Sequence, residues 1–162
     1  MRLVTRGDLD GLTSAVFITL CEEIDEVLLV HPQDITDKRL AITEDDILCN
    51  LPYQTGCGKW FDHHLLTESN ERPPENFEGR YGLAPSAARV VYEYYLPKHP
   101  GLQKFEVLLA ETDRLDSAML TMDDVLDPKG FILLGFTLDP RTGLGAYQDY
   151  FQKLTEIGRA HV

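Results

Sequence analysis

Short apolar runs punctuated by helix-length stretches most limit how this chain can fold. RLVT (residues 2–5) reads as a strand, and Leu12, Val16, Leu20 and Ile24 recur every four residues as one face of a helix over 12–24. EVLLVHP (26–32) is a second buried-strand pattern closed by its proline, DILCNLPY (46–53) a third, and KWFDHH (59–64) a fourth. Residues 67–84, rich in Glu, Asn, Pro and Gly, read as a loop. Helical patterning returns over 85–96 and 102–115, with Pro85 suited to a first helical turn and PKHPG (97–101) breaking the chain between the two. Strands alternating with helices, then mostly helices, predict an α/β domain: a largely parallel sheet flanked by helices.

Composition narrows the function. At 162 residues and 43% hydrophobic, the chain suits one domain with a real core. A formal charge of −12 argues against a grip on long nucleic acid. It still allows a phosphate site, because a local cation reverses the field. No apolar run approaches the ~20 residues of a membrane span, and the N-terminus lacks a signal-peptide pattern, so no membrane association and a cytoplasmic location are expected. Three cysteines without a CxxC indicate neither a disulfide framework nor a zinc ribbon. The last seven residues, EIGRAHV (156–162), match the translation of a widely used sequencing adapter. The natural domain is therefore expected to cover 1–155 here, with the parent protein continuing beyond it.

In a parallel sheet, ligands gather beyond the carboxyl ends of the strands. Asp8 and Asp10 follow the first run, Asn50 ends the third, and Asp62, His63 and His64 end the fourth. The architecture thus brings scattered polar residues to one edge. Their oxygens and imidazoles suit Mn²⁺, Mg²⁺ or Zn²⁺. Two such ions can clamp a phosphoryl group and activate water for in-line attack. Taken singly, a D-x-D-G turn is often only a helix cap, and an adjacent histidine pair only a solvated strand end.

Together and in this order, GDLDGLTSA (7–15), ILCNLPY (47–53), WFDHH (60–64) and ETDRLDSA (111–118) resemble the DHH phosphoesterase superfamily. That family includes RecJ-type exonucleases, pyrophosphatases, exopolyphosphatases and dinucleotide phosphodiesterases, and the texture is most similar to exopolyphosphatase-related chains. The resemblance implies a metal-dependent hydrolase acting on polyphosphate or a short phosphodiester, Mn²⁺ as cofactor with Mg²⁺ as the substitute, and a smaller C-terminal domain closing over a small phosphorylated substrate. It implies Asp8 as ligand of one metal and Asp10, His63 and Asp113 as ligands of a second. His64 would face the substrate phosphate, with Asp62 orienting its neighbours.

Two positions depart from the family pattern. Where a histidine is usual before the first aspartate, Val4 and Arg6 stand, and where a bridging aspartate is usual, Asn50 stands. Asp45 and Asp46 lie at the wrong end of their strand to substitute. Arg6 either binds phosphate in place of a metal, giving a one-metal-plus-arginine site, or pairs with Asp8 or Asp10. A second reading follows: a phosphate- or nucleotide-binding module that kept the fold and lost the chemistry. Lesser candidates are a zinc site of Cys57 with the histidine pair, the glycines of DPRTGLG (139–145) with Arg141, and His31, His99 and His161. These read respectively as incidental, turn-forming, structural, surface and adapter-derived.

Overall fold

The structure, a computed structural model, describes residues 1–138 and 146–160. The DPRTGLG glycines, Arg141 and His161 lie outside the described residues. Five strands, β1 (Arg2–Thr5), β2 (Glu26–Leu29), β3 (Asp46–Cys49), β4 (Lys59–Asp62) and β5 (Gly79–Tyr81), form one sheet in the order β2-β1-β3-β4-β5. All four pairings are parallel, with Leu3 opposite Val27 and Ile47, and Cys49 opposite Phe61. The expected α/β class with a parallel sheet flanked by helices is what is observed.

The near-continuous apolar runs follow from a sheet covered on both faces. Leu3, Ile47, Cys49 and Phe61 point into one core cluster, and their neighbours Val4, Leu48 and Trp60 into the other. The first cluster is roofed by α1 (Leu9–Cys21), with α3 (Ala87–Tyr95), α4 (Glu106–Asp116) and α7 (Ala146–Ala160) packed around it, and α6 (Gly130–Thr137) against α4. The second is closed by α2 (Pro32–Thr36) through Ile35 and by aromatic packing around Trp60. Tyr81 stacks on that indole at 5.1 Å, and its Nε1–H donates to the Leu51 carbonyl at 2.9 Å. α5 (Met122–Leu126) lies on the surface.

Several boundaries differ from the sequence reading, each for a local reason. α1 begins at Leu9 rather than Leu12 because the Asp8 side chain caps it, accepting from the Gly11 amide at 2.8 Å. A Cβ on Gly11 would fall 2.0 Å from the Arg6 carbonyl oxygen, so only glycine lets the helix start this close to the end of β1. β2 stops at Leu29, and His31 with Pro32 opens α2 instead: the His31 ring accepts from the Gln33 amide at 3.1 Å. β3 stops at Cys49 because Asn50 turns left-handed, with φ 57°. Pro100–Phe105 forms a 3₁₀ turn before α4, and the expected loop 67–84 holds the short edge strand β5. No described helix is long and apolar enough to cross a membrane.

Candidate functional site

Beyond the carboxyl ends of the strands, β1 delivers Arg6 and Asp8, β3 delivers Asn50, and β4 ends in Asp62 followed by His63 and His64. Asp10, in the first turn of α1, is buried, and its two carboxylate oxygens accept from the Ala87 and Ala88 amides at 2.9 and 2.7 Å. Those amides open α3, where unpaired N–H groups and the helix dipole favour an anion. Burial pushes the Asp10 carboxyl well above the usual carboxylate range, and the charges of Asp116 and Asp8 add to it.

His63 stands against this carboxylate. Its Nδ1 lies 3.0 Å from the Ala84 carbonyl oxygen, so the proton sits on Nδ1 and donates to that oxygen. That leaves Nε2 as the ring atom that faces the two carboxylates. It is buried without a hydrogen-bond partner, 3.6 Å from Asp10 Oδ2 and 3.3 Å from Asp116 Oδ2. An imidazole nitrogen facing two carboxylate oxygens suits a positive charge between them, a proton or a metal ion. The ligand atoms of Asp10, His63 and Asp116 lie within 4.8 Å of one another, and one imidazole nitrogen with two carboxylates fits Mn²⁺, Mg²⁺ or Zn²⁺. Burial also raises the Asp116 carboxyl, against the opposing pull of His63.

Asp113 is where the structure departs from the expected ligand set. Its oxygens accept from Ser86 Oγ at 2.7 Å and from Arg89 Nε at 3.0 Å, and Arg89 Nη2 closes a second contact. Asp113 therefore fastens α4 to the start of α3. It reaches the cluster through Ser86, the residue that caps α3, whose first amides hold Asp10. One turn further along α4, Asp116 takes the position beside His63. The signal was present in ETDRLDSA, whose second aspartate lies one helical turn from the first.

Asp8 is already committed. Its Oδ1 accepts from the Gly11 amide at 2.8 Å and from Asn50 Nδ2 at 3.1 Å, while Oδ2 lies 3.1 Å from Arg6 Nε. Arg6 thus pairs with Asp8, one of the two options for it. Asn50 is fully buried, and its amide turns to Asp8. Asp62 Oδ1 accepts from the His63 amide at 2.9 Å and from His64 Nδ1 at 2.7 Å. That second bond raises the His64 pKa over the opposing effect of burial and leaves Nε2 of this half-exposed ring for other partners.

The remaining candidates stay apart from this edge. Cys57 packs in the Trp60 cluster, and burial pushes its thiol up to about 11, away from a thiolate ligand. His99 packs edge-on to Tyr95 at 6.1 Å. Asp46 lies at the opposite edge of the sheet, paired with Arg2.

No family model matches the chain, and no curated protein does. Among solved structures, a protein described as a pGpG-specific phosphodiesterase, PggH, from Vibrio cholerae matches with a TM-score of 0.78 and 39% identity over 98% of this chain. The chain spans 52% of that structure's length.

Proposed function

We propose that this chain is the metal-binding half of a phosphodiesterase of the DHH superfamily, hydrolysing a short phosphodiester such as a linear dinucleotide. The observation that carries this reading is the Nε2 of His63, buried without a hydrogen-bond partner beside Asp10 and Asp116. The similarity to a pGpG-specific phosphodiesterase supports a phosphodiester over polyphosphate as substrate. The formal charge of −12 favours a small substrate over a long strand. Asp10, His63 and Asp116 would hold one Mn²⁺, with Mg²⁺ as its substitute. An ion there supplies Lewis-acid polarisation of the phosphoryl group.

The other residues act around it. Arg6, steered by Asp8, presents positive charge to the phosphoryl oxygens. Asp62 holds His64 by Nδ1 and favours its charged form, so that Nε2–H can steady the charge developing on oxygen during cleavage. Cytoplasmic location, a C-terminal domain closing over this edge and a non-native origin for residues 156–162 complete the proposal.

Titrating the metal-stripped chain with Mn²⁺ is expected to show about one ion per chain. It should also raise the melting temperature, since a ligand at ~100 times its Kd stabilises by about 2.7 kcal/mol. In a chain that also carries the closing domain, hydrolysis of pGpG should appear with the ion and vanish with a chelator. Absence of any binding, or turnover indifferent to chelator, sinks the proposal.

The commitment of Asp8 to Arg6 and Asn50 favours a second reading, a module that binds ion and nucleotide without turnover. Asn50→Asp separates the two, because it returns a carboxylate beside Asp8. If the missing charge limits catalysis, that variant takes up more than one ion per chain and gains hydrolysis together. Unchanged stoichiometry and turnover would assign Asn50 a purely structural part.

A further inference from the structure

The helix that carries Asp10 and the helix that carries Asp116 meet through a buried pair of hydroxyls. Thr13 Oγ1 in α1 and Thr112 Oγ1 in α4 lie 2.7 Å apart, and both residues are fully buried. Thr112 Oγ1 donates its one proton to the Leu108 carbonyl at 2.9 Å, so the proton between the two threonines comes from Thr13. Apolar side chains alone would let α4 seat along α1 in several neighbouring positions. The hydroxyl pair does not, because sliding leaves the Thr13 donor buried without a partner.

The pair lies one helical turn from each of two carboxylates. Thr13 follows Asp10 by one i, i+3 step and Thr112 precedes Asp116 by one i, i+4 step, spacings that share a helix face. Thr112 lines a cavity of about 220 Å³ together with Asp8, Asp10 and Asp116. α6 packs on the same seam through Gly135, where a Cβ would run into Leu115 and press on Leu9. Asp10 is fixed separately by the Ala87 and Ala88 amides, so the place of Asp116 relative to it follows from how α4 seats on α1. Metal–ligand distances hold to about ±0.2 Å, whereas one residue step along a helix is about 1.5 Å. A shift of a fraction of a step is therefore enough to spoil a shared ion.

We propose that Thr13 and Thr112 are positioning residues, a hydroxyl bolt that sets the separation of Asp10 and Asp116 and so the affinity of the site for its ion. The inference rests on the ion site of the phosphodiesterase reading, and its readout is binding rather than turnover. Thr13→Val combined with Thr112→Val removes both hydroxyls and keeps the side-chain shapes, so no unpaired group remains between the helices. The melting temperature of the metal-free double variant should stay near that of the parent. Its Mn²⁺ affinity by calorimetry should fall about tenfold, the lower range for groups that orient a ligand. Thr13→Ser keeps the hydroxyl and should keep the parent affinity. Thr19→Val removes another buried hydroxyl of α1, one that donates to the Ala15 carbonyl, and should leave the affinity unchanged. If the double variant does not fold, Thr13→Val alone, with Thr112 still bonded to Leu108, takes its place. Parent affinity in the valine variants, an equal loss in Thr13→Ser or Thr19→Val, or no Mn²⁺ bound by the parent overturns the bolt. A chain whose valine variants lose affinity, and which cleaves no dinucleotide even with the closing domain present, upholds the bolt and sinks the hydrolase. One that cleaves dinucleotides while its valine variants bind Mn²⁺ as the parent does the reverse.

Discussion

Asp116→Asn is expected to lower Mn²⁺ affinity by more than ~100-fold, and Asp113→Asn by only about tenfold. Groups that merely orient a ligand contribute ~10–100-fold to metal affinity, and removing a charged ligand costs more. Asp116 Oδ2 lies 3.3 Å from the free nitrogen of His63, whereas Asp113 acts through Ser86 and the start of α3. Calorimetry or Mn²⁺ electron paramagnetic resonance on the two variants gives the comparison directly. The Asp113 variant should show its larger defect in thermal stability, because Arg89 loses a carboxylate partner at 28% exposure. If Asp113→Asn proves the worse metal binder, the ligand set is Asp10, His63 and Asp113 after all.

At the other end of the sheet, Asp46→Ala is expected to destabilise the fold by about 3 kcal/mol. Asp46 is 2% exposed and accepts from Arg2 Nε at 2.6 Å, Arg2 Nη2 at 2.9 Å and the Thr43 amide at 2.7 Å. Breaking a fully buried pair costs ~3–5 kcal/mol, and partial exposure of Arg2 puts this one at the lower end. Burial alone would raise the Asp46 carboxyl, but the Arg2 and Thr43 donors outweigh it and hold the group below its ordinary value. A carboxyl depressed in the folded state contributes its stability above the unfolded pKa of ~3.9 and loses it as pH falls through the folded value. Urea midpoints of the parent chain should therefore decline below about pH 4. Those of Asp46→Ala should start lower and fall less over that interval. Parallel pH profiles would show that the pair does not set acid stability.

Positions at strand ends were legible because a polar residue after a buried run has few other reasons to be there, and Asp8, Asn50, Asp62 and His63 all sit where that logic put them. Helix phase was harder. Asp113 and Asp116 belong to one motif, and it is partners from another segment, Ser86 and Arg89, that take up Asp113 while Asp116 lies beside His63. The Ala84 carbonyl that sets the His63 tautomer carries no sequence signal, since every residue has such a group. GFILLGFT, the segment of α6, is apolar on all sides and shows no helical period. β5, with only Gly79, Arg80 and Tyr81, is too short to alternate.

The grip of Ala87 and Ala88 on Asp10 also bears on ionic radius. A carboxylate with each oxygen tied to its own amide cannot swing freely between one-oxygen and two-oxygen coordination. Calcium relies on that freedom, taking six to eight oxygens at roughly 2.3–2.6 Å in variable geometry. Smaller ions keep fewer, shorter bonds in a fixed polyhedron. The proposed ion would meet a rigid carboxylate on a helix end, set against an imidazole held by a backbone carbonyl, so this edge of the sheet would gauge ion size as much as store negative charge.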